Sequence, residues 1–381
     1  MRVLFVNYEF PPLGGGGGTT CKYLAGALAA KGAKVTVLTA GFTGLPPVEQ
    51  VDGYEIRRVK CRRTSESHCS PLEMISFVVH AALPMLRLIR SFKPAMIQVF
   101  FALPTGPLGW LAAKWCGVPY IVYLLGGDVP GFLDREIGWQ HRLLRGVSRS
   151  IWSTAARVVA NSEGLRRLGN KAFPDIAVDV ITNGIDTTDF CIQTDRPKHD
   201  DVRLLFVGRL VDQKGLPVLL EALSSIVAAS GRTDIRLCVV GDGPQKPHYQ
   251  QYIDAHALNG RVEFAGWVKL ADLKHRYNAS DIFVLPSTFE GMPSVVLQAM
   301  ACGVPVVSTR VFGSEDLVED SYNGYLVDIG DSKAMAQRLL YLADHPDQRQ
   351  MMGMNARNSV MQYNWRTIAD RFLALYAASL G

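Results

Sequence analysis

No Cys-x-x-Cys pair occurs in this chain, and its seven cysteines are an odd number standing singly. That spacing argues against a disulfide framework or a structural zinc, and it fits a reducing compartment. Long apolar runs are also missing. No stretch reaches the ~20 uncharged apolar residues that span a bilayer, and the N-terminal run Met1–Asn7 is too short for a signal peptide and has the pattern of a first strand. Neither sign of charge is in strong excess: the net charge is +5, with 20% charged residues. The basic residues lack interleaved aromatics or a nucleic-acid-binding motif, so no nucleic-acid partner is expected. No Asp-x-Asp stands at a strand end in the ligand-facing motifs, and no histidine spacing suits an ion, so no metal is expected. Together these absences point to a cytoplasmic protein.

What is present is an α/β pattern. A chain of 381 residues, 48% of them hydrophobic, exceeds one typical core, and two domains are expected. Arg2–Asn7 reads as a strand, and Pro11, Pro12, Leu13 and the five glycines Gly14 to Gly18 form the loop after it. Tyr23, Leu24, Ala27 and Leu28 recur at helical spacing, and Val35–Thr39 is a second strand. The glycine run lacks the Gly-Lys-Ser/Thr ending of a nucleotidase loop, but it lies where open α/β sheets bind ligands. Further strands are expected at Met96–Phe100, Tyr120–Leu124, Arg157–Ser162 and Asp179–Ile181, with Trp110–Trp115 helical. The polar run Gln193–Asp201 has the composition of a linker. The expected domains are therefore 1–192 and 202–364, joined by 193–201, each a doubly wound, Rossmann-like sheet.

The chemistry concentrates in the second domain, which opens on the strand Val202–Gly208. Arg209 and Lys214 follow it, five residues apart and ahead of a helix, a spacing that can grip a diphosphate with one planar fork and one point charge. Later, the apolar strand Ile282–Leu285 leads through Pro286 and Ser287 to the turn Gly291–Met292–Pro293. A helix opens at Pro293 or Ser294 and runs to about Ala301. Such a strand, turn and helix start present unpaired N–H groups to an anion. Glu290 stands on the rim, where a carboxylate accepts hydrogen bonds from hydroxyls. An anion carrying a polyol suits both features, and a sugar nucleotide is such a molecule.

The stretch Glu290-Gly291-Met292-Pro293 followed by Gln298-Ala299-Met300-Ala301-Cys302-Gly303-Val304-Pro305-Val306-Val307 resembles the signature of retaining family-4 glycosyltransferases. The similarity extends along the chain, through Gly208-Arg209-Leu210 with Lys214-Gly215, Gly241-Asp242-Gly243-Pro244, Asn183-Gly184-Ile185-Asp186 and Asn323-Gly324-Tyr325-Leu326-Val327. The resemblance implies the GT-B architecture, two doubly wound domains facing a central cleft, with a C-terminal helix (365–381) packing back on the first domain. It implies transfer of a hexose, with retention, from a UDP- or GDP-sugar to a hydroxyl of a glycan, lipid-linked or small-molecule acceptor, as in polysaccharide biosynthesis, with no cofactor beyond that co-substrate. By resemblance Glu290, Arg209, Lys214 and Asp128 carry the chemistry. Gly15, Gly16, Asn183, Gly241, Val268, Gly291, Met292, Pro293 and Gln298 hold the donor, the base being held by backbone groups near Gly241 and Val268. Asp128 is expected on acceptor or sugar hydroxyls.

Two positions depart from the family pattern. Gln298 stands where a second glutamate usually binds ribose, and Leu125 stands where a histidine is usual near the donor sugar. The first alters donor affinity; the second removes any histidine-assisted step. A sugar-nucleotide epimerase of similar fold and a non-catalytic nucleotide-sugar-binding partner subunit are the alternatives. The apolar segment Met74–Leu83, preceded by Arg57, Arg58, Lys60, Arg62 and Arg63 and followed by Arg87, Arg90 and Lys93, reads first as a core helix. Peripheral contact with an anionic membrane is its second reading.

Overall fold

The computed structural model describes residues 1–66, 69–132, 134–196 and 199–381, with the side chains of 134–137 set aside. The chain divides into two compact units, Met1–Gly184 with Trp365–Gly381, and Ile185–Asn364.

The first unit holds strands β1 (Arg2–Val6), β2 (Lys34–Ala40), β3 (Val48–Val51), β4 (Tyr54–Val59), β5 (Met96–Phe100), β6 (Tyr120–Leu124), β7 (Arg157–Ala160) and β8 (Val178–Val180). They form one sheet in the order β3-β4-β2-β1-β5-β6-β7-β8. All neighbours are parallel except β3 and β4, an antiparallel hairpin. The hairpin turns at Asp52 and Gly53, both at positive φ, the geometry that an Asp-Gly pair favours. That pair is visible in the sequence although the hairpin is not among the expected elements. The inner strands are near-continuous apolar runs because both faces are covered. Leu4 and Val6 pack on one side with the helices Pro71–Phe92, Gly106–Cys116 and Arg145–Thr154. Val3 and Phe5 pack on the other with Gly16–Ala30 and the C-terminal helix Trp365–Ala378. That last helix is tied to the unit by Tyr376, whose hydroxyl donates to the Gln98 side chain, and by the Asp370–Lys31 ion pair at 2.6 Å.

The second unit holds β9 (Val202–Val207), β10 (Ile235–Val240), β11 (Val262–Gly266), β12 (Ile282–Leu285), β13 (Val306–Thr309) and β14 (Gly324–Val327). These strands are parallel in the order β11-β10-β9-β12-β13-β14. In each sheet the strand order reverses beside the unit's first long strand, between β1 and β5 and between β9 and β12. Loops leaving the carboxyl ends there splay apart and make a ligand crevice.

Two expectations are corrected. The units part at Gly184/Ile185, so residues 185–192 belong to the second unit and not to the first. Phe190 is buried in that unit's core, and the Arg357 guanidinium donates to the carbonyls of Thr187, Phe190 and Ala301. The expected linker, 193–201, follows this anchor; its Pro197 and Lys198 lie outside the described residues. Second, the helix Pro71–Phe92 is, by length and composition, apolar enough to cross a membrane. Glu73, Arg87 and Arg90 interrupt the uncharged run, which is why a search for unbroken apolar sequence passes over it. Phe190→Ala should cost about 3–5 kcal/mol, the usual loss for a core phenylalanine. A drop in the midpoint of denaturant unfolding checks it, and an unchanged midpoint would detach 185–192 from the core.

Candidate active site

In the second unit, the loops after β9 and β12 are laced together at the point of strand reversal. Gly215 takes φ +65°, and a Cβ there would stand 1.9 Å from the Pro286 carbonyl oxygen; only glycine lets the two backbones approach so closely. The Thr288 amide donates to the Gln213 carbonyl at 2.9 Å, and the Gln213 side chain donates to the Phe289 carbonyl at 3.1 Å. This lacing brings Lys214 to Glu290: Nζ donates to Oε1 at 2.6 Å, with both side chains largely buried. The Ser287 hydroxyl donates to the same Oε1 at 2.6 Å. Glu290 Oε2 has no hydrogen bond among the described residues, so one oxygen is fixed and the other is available. Arg209 is exposed, and its side chain has no hydrogen bond or ion pair among the described residues.

Gly291, Met292 and Pro293 are buried and lead into the helix Ser294–Ala301. Being first-turn residues, Ser294 and Val295 have amides without an intrahelical acceptor. Gln298 lies on that helix, buried, and its Oε1 accepts the Tyr277 hydroxyl at 2.9 Å. After β13, Gly313 packs so closely on Gly291 that a Cβ would stand 2.3 Å from the Gly291 carbonyl oxygen. Gly241, at φ +132°, presses on Gly208 in the same way at 1.9 Å. Val268 is half-buried just beyond β11.

In the first unit, the glycine run resolves residue by residue. Gly14 has φ +85°, a Cβ on Gly17 would strike the Phe101 ring at 2.4 Å, and one on Gly18 would press on backbone at 3.2 Å. Gly15 and Gly16 have nothing within 4 Å of such a Cβ, so these two present bare backbone at the start of the helix Gly16–Ala30. Two polar residues outside the expected site hold the loop. Glu9 accepts the Gly15 amide at 3.2 Å, and Asn7 donates to the Gly17 carbonyl at 3.2 Å. Their signal was available, since both lie within three residues of the carboxyl end of β1.

Asp128 and Asn183 both have hydrogen-bond partners within the first unit. Asp128 is buried, its Oδ2 accepting the Ala102 amide at 2.7 Å and its Oδ1 the amides of Leu125 and Gly126 at 3.1 and 3.0 Å. Its carboxylate braces the loops after β5 and β6. Burial, opposed by these amides, pushes its pKa up to about 6. Asn183 is buried too, its Oδ1 accepting the Tyr123 hydroxyl at 3.0 Å.

Residues 190–359 match the family described as glycosyl transferases group 1, and residues 15–184 match the glycosyl transferase 4-like domain. The chain is a glycosyltransferase of the GT-B type. It is 28% identical to a GDP-mannose-dependent alpha-mannosyltransferase of Mycolicibacterium smegmatis over 100% of this chain and 98% of that one. A sucrose-phosphate synthase from Thermosynechococcus elongatus has the same fold, with a TM-score of 0.87, 21% identity and 99% and 98% of the two chains covered. HepE of Anabaena, in complex with UDP-glucose, superimposes with a TM-score of 0.79 at 19% identity, covering 99% and 100%.

Two outcomes are expected of this glycosyltransferase. Asp128→Asn leaves an amide facing the Ala102 N–H and should cost roughly 1–3 kcal/mol, read as a lowered Tm. Because the folded-state pKa of Asp128 lies above its ordinary 3.8, the native state binds the proton more tightly. Its contribution to stability is therefore present below pH 4 and lost as pH rises through about 6. The Asn variant should have a flatter stability–pH profile across that window. Gly215→Ala should separate the two loops and lower both Tm and turnover; normal values for both would mean that the close approach is dispensable.

Proposed function

We propose that this chain is a retaining hexosyltransferase that moves a sugar from a nucleotide-diphosphate donor to a hydroxyl of a glycan, lipid-linked or small-molecule acceptor. One observation carries the reading: Lys214 and Glu290, 76 residues apart in sequence, form an ion pair at the strand reversal of the second sheet, with Arg209 unengaged nearby in sequence on the loop after β9. Breaking the bond from the anomeric carbon to the β-phosphate oxygen leaves negative charge on the diphosphate. Arg209, Lys214 and the first amides of the helix Ser294–Ala301 stabilise that charge, the main contribution to catalysis. Fixed cations then take the role that a divalent ion has elsewhere, and no metal is required.

Glu290 is held through Oε1 and offers Oε2 to the hydroxyls of the transferred sugar, where it also favours developing positive charge at the anomeric carbon. Gln298 lies toward the ribose, and the backbone near Gly241 and Val268 toward the base. Gly15 and Gly16 open the first unit to phosphates and acceptor. The acceptor oxygen forms the new glycosidic bond as the old one breaks, and its proton passes to the departing phosphate oxygen on the same face, which retains the anomeric configuration. The GDP-mannose dependence of the mycobacterial relative and the UDP-glucose of the Anabaena structure support a nucleotide-sugar donor, and both UDP- and GDP-sugars are candidates. The place of action is the cytoplasm, with peripheral contact at the inner face of the membrane.

Arg209→Ala and Lys214→Ala should each lower kcat/KM by about 10²-fold or more, the scale of a lost oxyanion donor. Near-normal turnover in both would misplace the diphosphate. Gln298→Glu should tighten donor binding in calorimetry if the ribose lies there. NMR of the product's anomeric proton tests retention, and unchanged rates with a chelator test metal independence. Donor consumption without any added acceptor would favour an epimerase.

A further inference from the structure

The helix Pro71–Phe92 is apolar on both of its faces. Phe77, Ala81, Met85, Leu88 and Ile89 are buried in the core of the first unit. On the opposite face Leu72, Ile75, Val79 and Leu83 are 67%, 58%, 65% and 55% exposed. Their spacing of three, four and four residues lines them up as one stripe along about three turns of helix. Water-facing helix surfaces are normally polar, and a contiguous aliphatic row of this kind marks a contact surface.

The exposed charges on the stripe's own helix are of one sign. Arg87 and Arg90 are exposed on the last turns of the same helix, and Lys93 caps it. The helix has a single acidic residue, Glu73, and it is buried. Its carboxylate accepts from the amides and hydroxyls of Ser70 and Thr64, which holds its pKa down at about 2, so no exposed acid on this helix offsets the arginines. The helix Gly106–Cys116, packed alongside, contains no acidic residue and ends in exposed Lys114 and Trp115. An aliphatic row with cations at its end and an aromatic beside it complements an anionic bilayer surface: acyl-chain ends for the row, phosphates for the arginines.

We propose that this face of the first unit docks on an anionic lipid bilayer. The helix lies in the plane of the headgroups, with Leu72, Ile75, Val79 and Leu83 inserted and Arg87, Arg90 and Lys93 against lipid phosphates. It does not span, because its other face is committed to the core. The docked helix starts close to the glycine loop: Glu73 holds Thr64, and the Glu66 carbonyl accepts the Gly14 amide at 2.7 Å. Docking would thus set Gly15 and Gly16 near the membrane surface. The inference rests on the exposed face alone and is independent of which donor or acceptor the enzyme uses.

Co-sedimentation with vesicles of phosphatidylcholine, with and without phosphatidylglycerol, tests it on the full chain. Wild type should partition onto the anionic vesicles and leave them as salt is raised. Combined Leu72→Ser, Ile75→Ser, Val79→Ser and Leu83→Ser should cut that partitioning at least roughly ten-fold, and so should Arg87→Glu with Arg90→Glu. Both variants should keep the wild-type Tm and the wild-type affinity for UDP or GDP measured without lipid, which separates lost docking from lost folding. Failure of wild type to bind anionic vesicles at low salt would overturn the proposal, as would undiminished binding by both variants. So would a lipid-free wild-type dimer that the serine variant turns into a monomer, because the stripe would then be a contact between copies. Loss of UDP and GDP binding by wild type would count against the proposed reaction and leave the docking result unaffected.

Discussion

The ion pair between Lys214 and Glu290 is the contact on which the site depends. It forms because β9 and β12 are neighbours in the sheet although β10 and β11 intervene in sequence. The parallel order turns back at that seam, so the two loops leave adjacent strand ends with a crevice between them. Gly215 and Gln213 then close the loops onto one another. A side-chain pair held by two backbone contacts and a serine hydroxyl has little freedom to relax, and that rigidity fixes one carboxylate oxygen of Glu290. For the proposed reaction this amounts to preorganised charge, whose orientation would not have to be found at the moment of bond breaking.

The first unit uses carboxylates differently. Asp128, Glu9 and Glu73 each accept backbone amides beside a strand end or helix start, and in doing so they fix the loops after β1, β5 and β6 and the entry to the long apolar helix. A loop acid at a strand end therefore has two fates in one protein. Where several amides converge, as at Asp128, its lone pairs are consumed and it becomes a brace. Where one cation and one hydroxyl take a single oxygen, as at Glu290, the other oxygen keeps no hydrogen bond among the described residues. Both residues are buried, so the burial that suggests function at one indicates structure at the other. The hydrogen-bond partners separate the two cases.

The long apolar helix shows a related ambiguity. Its sequence suits either a core helix or a membrane-surface helix, because both want apolar residues over several turns. Packing divides its faces: one is sealed in the first unit's core and the other carries an exposed aliphatic row ending in arginine. The same folding that hides Phe77 and Met85 leaves Leu72 and Val79 in the open, and nothing in the hydrophobic pattern alone assigns which face is which.

Much was legible from the chain alone. Apolar runs bounded by glycine and proline placed β5, β6 and β12 at their observed limits, because a strand covered on both faces needs an unbroken apolar stretch and ends where the backbone must turn. Local chemistry also marked the helix start at Pro293, the basic pair Arg209 and Lys214, and the glycine loop, since each is a property of a few consecutive residues. The long-range facts could not be read this way. Strand order, the meeting of Lys214 with Glu290, the inward turn of Asp128 and Asn183, and the anchoring of Phe190 in the second unit all depend on which segments lie side by side. Sequence fixes a residue's neighbours along the backbone; its neighbours in space follow from how helices and sheet pack, and only the folded chain decides them.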